Sequence, residues 1–359
     1  MSKRIFGFGI IGAGVIAPTH CSAIRQIPNA RIVAFCDLER GKAAKLASEQ
    51  ASEAGVPDVY TDFHAMLRRD DIDVVEILTW SGVHAEQATA AAEAGKHLII
   101  TKPVDTRLER IDALIETCRR CGVKLGATHQ FRGFPAYKRL KAAIDDGRLG
   151  RLYMGNGFLK WWRSQEYYDS AAWRGTWNLD GGGALMNQSI HYVDMLTWLM
   201  GRPKNLRGFI ATHAHNIEVE DCATAAIQFE NGALGTFQGA TCIYQGMPSR
   251  IEVHAERGNV VIEGDKIVLW NVEGEPLEKG TAGTGSVANP GSGLELAVDA
   301  HVEQISDVLA AIEEGRDPVI NGSEARRAVE IILAVYHSAW SGETIHFPLT
   351  RDPMPPSML

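Results

Sequence analysis

Gly12-Ala13-Gly14-Val15-Ile16-Ala17 follows the apolar run Ile5–Ile11 and opens a helical pattern. That order suits a phosphate-bearing ligand. Gly12 permits a tight turn, Gly14 lets backbone approach a pyrophosphate, and the small Ala17 lets a helix pack closely on a strand with its N–H groups toward the phosphates. Alone the pattern is weak. Asp37, 20 residues beyond Ala17 at the end of the next apolar run, strengthens it. Its carboxylate suits the hydroxyls of an adenosine ribose and repels a 2′-phosphate. Leu38 follows where an NADP site often has a cation, so NAD is favoured, while Arg40 keeps NADP open.

Other side chains could act on a substrate. The Lys102 ammonium could hydrogen-bond a hydroxyl and stabilise an alkoxide, or simply pair with a surface carboxylate. Asn187 and His191 lie four apart on a helix predicted after Gly181-Gly182-Gly183, hence on one face. An imidazole suits proton removal near neutral pH, whereas Asn187 could only hold a ligand. Trp161, Trp162, Arg163, Tyr167, Tyr168, Trp173, Arg174 and Trp177 crowd one stretch. Aromatic faces suit sugar C–H groups and Arg suits phosphate or carboxylate, so Arg163, Tyr168 and Arg174 are the candidates for ligand contact. Most of these tryptophans are expected to fill space. His213, His215 and Asp221 imitate a metal site without a fourth ligand and read as solvated edge-strand residues, so no metal is expected. Cys118 and Cys121 read as packing residues. The role of His301 stays open.

These residues need elements to hold them. Ile5–Ile11, Arg31–Cys36, Val74–Leu78, His97–Thr101 and Lys124–Ala127 are short β-rich runs, and Arg40–Glu53, Val83–Ala94 and Leu108–Cys121 are helical in pattern. The alternation predicts an α/β Rossmann domain with a doubly wound parallel sheet over 1–127. Lys102 then ends a strand at the sheet edge where such folds bind ligands. Residues 128–359 read as an α+β domain for substrate binding and oligomerisation, with a large, mostly antiparallel open sheet. Its strands are Arg151–Trp162, Leu206–Ala214, Ala223–Phe229, Leu234–Ala240, Arg250–His254, Val260–Glu263 and Lys266–Trp270, with turns at Asn231-Gly232 and Arg257-Gly258. Gly280–Gly293 reads as a mobile loop, and Leu294–Glu314 and Ser323–Trp340 as closing helices.

The whole chain sets bounds on this reading. Its 359 residues suffice for two domains, and 45% hydrophobic with 22% charged residues is an ordinary globular balance. A net charge of −8 without a basic block argues against nucleic acid as a partner. No apolar run reaches membrane-span length and none resembles a secretory signal, so a cytoplasmic location is the default.

At Lys102-Pro103 the chain resembles the Gfo/Idh/MocA oxidoreductases over nearly its whole length. Gly12–Ala17 is similar to the family's nucleotide fingerprint. Thr79–His84 resembles its Thr-Pro-Asn-x-x-His element, and Thr101-Lys102-Pro103 its Glu-Lys-Pro. Gly181–His191 resembles Gly-Gly-Gly-x-Leu-x-Asp-x-Gly-x-His, and the run from Glu324 to Ala339 is also similar. The departures are Trp80 and Ser81 for Pro and Asn, Thr101 for Glu, Asn187 for Asp and Ser189 for Gly. The Asn187-Gln188-Ser189-Ile190-His191 form is similar to members that oxidise nucleotide sugars at C3.

The resemblance implies an NAD site made by Gly12, Gly14, Val15, Ile16, Ala17, Asp37 and Leu38. Thr79, Trp80, Ser81, His84, Thr101, Lys102 and Gln130 would complete it. It implies catalysis by Lys102, His191 and Asn187, with Asn187 and His191 also contacting substrate beside the Arg163, Tyr168 and Arg174 that the aromatic stretch supplies. A cis peptide bond before Pro103 is also implied. The leading function is hydride transfer from a secondary hydroxyl of a sugar, sugar nucleotide or cyclic polyol to NAD. Two alternatives are an enzyme that retains NAD and cleaves or isomerises a glycoside by transient oxidation, and a non-catalytic NAD-binding regulator. Whether Lys102 or His191 takes the proton stays open. A homodimer or homotetramer is expected, formed through an apolar face that the open sheet leaves uncovered.

Overall fold

The computed structural model describes residues 4–53, 55–280, 294–353 and 355. They form two compact units: one combines the described residues up to 130 with 294–326, and the other those from 131 to 280 with those from 327 onward. The second unit therefore does not take everything after residue 127, because a late segment returns to the first.

In the first unit, six strands make a parallel sheet: β1 (Phe6–Ile11), β2 (Ala30–Cys36), β3 (Asp58–Tyr60), β4 (Val74–Ile77), β5 (His97–Thr101) and β6 (Leu125–Thr128). Their order is β3-β2-β1-β4-β5-β6. Each side of β1 and β4 is buried, which is why both are almost wholly apolar. The connecting helices are α1 (Ala17–Arg25), α2 (Arg40–Glu49), α3 (Phe63–Leu67), α4 (His84–Glu93) and α5 (Leu108–Cys121). The order reverses between β1 and β4, so ligands belong at the carboxyl ends of those strands. The sequence pattern missed β3 and α3, which are too short to show a period. Helix α9 (Leu294–Glu314) explains the returning segment. Ile305, Val308 and Leu309 on it join Phe6, Phe8 and Ile10 of β1 and Cys21 and Ile24 of α1 in one core.

The second unit is built on a nine-stranded sheet: β7 (Leu152–Lys160), β8 (Pro203–Ala211), β9 (Cys222–Phe229), β10 (Leu234–Ala240), β11 (Arg250–Ala255), β12 (Gly258–Glu263), β13 (Lys266–Val272), β14 (Glu278–Lys279) and β15 (Ile345–His346). The order is β14-β13-β12-β11-β7-β10-β9-β8-β15. All neighbours are antiparallel except β7 and β10. Helices α6 (Pro135–Asp145) and α8 (Ile190–Met200) pack on the sheet, α7 (Gln165–Asp169) lies in the aromatic stretch, and α10 (Gly322–Ser341) runs across the boundary at residue 326. The predicted loop at 280–293 lies, apart from Gly280, outside the described residues.

The other face of this sheet is mixed, where an apolar surface was expected. Across it, Arg207, Ala226, Thr236, Asn156 and Glu252 form one row, and Phe209, Thr224, Gln238, Phe158, Arg250 and Glu263 the next. Thr236 donates to Asn156, Asn156 to Glu252, and Arg250 to Glu252 and Glu263. The face carries a polar ladder with Phe158 and Phe209 set into it, and the adjoining row adds the exposed Met154 and Leu234. Among the described residues, no helix is long and apolar enough to cross a membrane.

Candidate active site

The first unit gathers the candidate nucleotide residues at one sheet edge. Gly12 follows β1, Asp37 follows β2, Thr79 follows β4, Lys102 follows β5 and Gln130 follows β6, and a parallel sheet puts all these ends on one side. Gly12 has φ of 101°, and a Cβ there would lie 2.8 Å from the Leu78 carbonyl group, so only glycine fits. A Cβ on Gly14 would meet nothing within 4 Å, which leaves that stretch of backbone open to a ligand. Val15 beside it is exposed, Ile16 caps α1, and Pro18 occupies the first turn of the helix, where its missing N–H costs nothing. Asp37 ties the loop down: its Oδ2 accepts from Ala13 N at 2.8 Å and its Oδ1 from Glu39 N at 2.8 Å. Each oxygen keeps further acceptor capacity. Leu38 is exposed beside it. These residues fit a dinucleotide: an open glycine turn, a helix start and a carboxylate.

Lys102 precedes Pro103 through a cis peptide bond, as expected. His84 holds the two loops together. Its Nδ1 lies 2.8 Å from the Pro103 carbonyl oxygen and its Nε2 3.0 Å from that of Thr79. Burial pushes its imidazole below the ordinary pKa, against those two carbonyls and Asp105. A buried ring facing two carbonyls is a support for the loops. Thr79 Oγ1 donates to Gln87, Trp80 is part-exposed, Ser81 starts a 3-10 turn and Thr101 ends β5. His301 is buried on α9 with its ring 4.5 Å from that of His20.

In the second unit, the segment carrying Asn187 starts as a π-helix (Ala184–Ser189) and becomes the α-helix α8 at Ile190. A uniform α-helix was expected. The difference traces to the glycine run. A Cβ on Gly182 would come within 2.0 Å of the Tyr336 hydroxyl, and one on Gly183 within 1.8 Å of the Glu220 carbonyl oxygen. Glu220 reaches under the turn, accepting from Gly183 N, Leu185 N and Tyr336 Oη. Burial raises its pKa to about 7, although these hydrogen bonds pull the other way. Asp180, just before the glycines, accepts from Asn187 Nδ2 at 2.9 Å and from Gly175 N. Its place ahead of the run was the available sequence signal. His191 is buried and stacks on Phe131 at 4.7 Å.

The aromatic stretch sorts itself. Tyr168 is buried, with its hydroxyl 2.7 Å from Thr241 Oγ1 and its ring 4.8 Å from that of His215. It is part of the frame rather than an open ligand contact. Trp177 packs with Tyr336 and Trp340. Tyr167, not among the ligand candidates, is the centre: Arg163 and Arg174 both lie against its ring, at 5.0 and 4.3 Å. Its hydroxyl accepts from Arg174 at 2.6 Å and from Gln188 at 3.0 Å. His215 is not a solvated edge residue. It is buried just beyond β8, with Nδ1 2.9 Å from Asp221 Oδ2 and Nε2 2.8 Å from the Arg163 carbonyl oxygen. Asp221 also accepts from His213 N and Ala214 N. Among the described residues, no group of three His, Cys, Asp or Glu side chains could hold a metal ion.

Residues 6–129 match the oxidoreductase family with an NAD-binding Rossmann fold, and residues 137–261 match the GFO/IDH/MocA C-terminal domain. The chain is similar to the WlbA dehydrogenase from Bordetella pertussis, solved in complex with NADH and UDP-GlcNAcA. Identity is 31% with a TM-score of 0.84, over 97% of this chain and 100% of that one. It is 27% identical to D-apiose dehydrogenase of Paraburkholderia graminis, over 96% of this chain and 90% of the relative. It is 23% identical to myo-inositol 2-dehydrogenase of Thermotoga maritima, over 89% and 92%.

Proposed function

The chain belongs to the Gfo/Idh/MocA oxidoreductase family, and from that premise we propose that it oxidises a secondary hydroxyl of a sugar, sugar nucleotide or cyclic polyol with NAD. The observation that carries the reading lies in the first unit: Lys102 stands at the same sheet edge as the open Gly12–Gly14 turn and Asp37. Relatives that act on D-apiose and myo-inositol, and one solved with NADH and UDP-GlcNAcA, support the substrate class.

Bound NAD would accept the hydride from the carbinol carbon. Gly12, Gly14 and the start of α1 would hold its pyrophosphate, and Asp37 its adenosine ribose, which makes NADH the tighter ligand over NADPH. The Lys102 ammonium donates to the substrate oxygen and stabilises the charge that develops there. His191 takes the hydroxyl proton, and Asn187, held by Asp180, orients the ligand.

A screen of sugars, sugar nucleotides and cyclic polyols, followed by absorbance of reduced nicotinamide, tests this. One class should produce NADH in proportion to enzyme turnover. Conversion of a glycoside without net NADH would favour transient oxidation instead. Binding of NAD with no conversion of any class would favour a regulator.

A further inference from the structure

In the second unit, two cations lack the partner that their neighbours have. Arg132 forms a bidentate pair with Asp194, Arg139 pairs with Glu278, Arg148 with Glu275, and Arg250 with Glu252 and Glu263. Arg163 and Arg174 have no such carboxylate among the described residues. Their Nε atoms are buried and without a hydrogen-bond partner. What they share is Tyr167, whose ring faces both guanidiniums and whose hydroxyl accepts from Arg174. A neutral phenol cannot balance two positive charges, and a buried N–H with no acceptor is costly. Asp180 acts on the same Tyr167, but its two oxygens are taken up by Asn187 and Gly175. In a chain of net charge −8, two arginines thus share one phenol with no carboxylate among the described residues bonded to either, a setting that favours an anion from outside.

The place is also built. The Arg163 main chain is fastened on both sides: its N–H donates to the Thr241 carbonyl at 2.8 Å and its carbonyl accepts from His215. His215 is in turn held by Asp221, which two backbone amides secure. Arg174 is fixed by Tyr167, and Tyr167 by Gln188 of the π-helix that also carries Asn187. Gln188 Oε1 is itself buried and unpartnered. The cluster therefore adjoins the segment that leads to His191.

We propose that Arg163 and Arg174 form an oxyanion subsite around Tyr167, so that the substrate is an acidic sugar carrying a carboxylate or a phosphate. Guanidinium groups suit both anions, because their N–H forks match paired oxygens. The inference rests on the dehydrogenase reading for the word substrate, but the subsite itself is tested by binding.

Calorimetry of the NADH-loaded protein should compare a hexuronic acid and a hexose phosphate with their neutral parent hexose. At least one acid should bind about tenfold or more tightly than the neutral sugar, and added salt should narrow the gap. The uronate and phosphate arms show which oxyanion is read. Arg163→Gln and Arg174→Gln should each shrink the preference, and the double variant should abolish it while NADH affinity is kept, which reports that the protein is still folded. Equal or negligible binding of both acids relative to the neutral sugar overturns the subsite, as does a preference that survives the double variant. Arginine-dependent acid binding without NADH formation from any substrate would count against the dehydrogenase reading alone. NADH formation from neutral sugars without acid preference would count against the subsite alone.

Discussion

Lys102 and His191 divide the proposed chemistry between a donor to the substrate oxygen and an acceptor of its proton. Lys102→Ala should cost about 3–4 kcal/mol of transition-state stabilisation, measured as kcat/KM. His191→Ala should slow turnover by roughly two to four decades. NADH binding, followed by fluorescence, should be kept in His191→Ala and weakened only modestly in Lys102→Ala, because the phosphate cradle lies at Gly12 and Gly14. A loss below tenfold in His191→Ala, with the basic limb of its pH profile unmoved, would transfer the proton to Lys102. Glu220 gives a separate stability prediction. Its folded pKa, raised from 4.5 to about 7, means that its contribution is full below pH 4.5 and is lost as pH rises through 7. The loss should be on the order of 3 kcal/mol in denaturant titrations, and Glu220→Gln should flatten that slope. At this scale, side-chain types were legible and partners were not. Lys102, Asp37 and Asn187 stand out by position in a motif. The roles of Tyr167 and His215 depend on partners that no motif spacing reports: Gln188 lies 21 residues beyond Tyr167, and the Arg163 carbonyl 52 residues before His215.

At the scale of elements, the glycine turn decides how Asn187 is presented. The turn is pressed against Tyr336 of α10 and against the Glu220 carbonyl, so the chain enters α8 through a π-helix, a distortion that recurs at functional sites. Gly183→Ala would put a Cβ onto that carbonyl oxygen. The variant should lose several kcal/mol in denaturant midpoint and several degrees in melting temperature. Gly14→Ala, facing open space, should leave stability nearly unchanged and weaken NADH binding. Long elements were readable because they repeat the helical period several times: α5, α9 and α10 lie where the apolar pattern and flanking glycines put them. The π-helix was unreadable because it arises from packing beneath a glycine run, and Asn187 and His191 keep the same four-residue separation in either helix.

At the scale of the molecule, the alternating half of the chain foretold the parallel sheet, and the run of strands after residue 150 foretold the mostly antiparallel one. The polar ladder on the outer face was hidden, because outward positions become legible only once strand register is known. Its phenylalanines at 158 and 209, set among hydrogen-bonded polar rows, leave a mixed surface of the kind that subunit contacts use. Light scattering at micromolar concentration should report a dimer or tetramer, and Phe158→Glu with Phe209→Glu should lower the mass. A monomeric wild type would remove this expectation.

The return of α9 to the first unit bears on the order in which the protein is made. Phe6, Phe8 and Ile10 leave the ribosome first, whereas Ile305, Val308 and Leu309, which share their core, emerge nearly 300 residues later. At roughly 5–20 residues per second, the delay is on the order of tens of seconds. During synthesis the nascent nucleotide unit therefore waits with α1 and β1 incompletely covered. A chain that stops short of Leu294 would carry the whole glycine fingerprint and still lack part of the core beneath it.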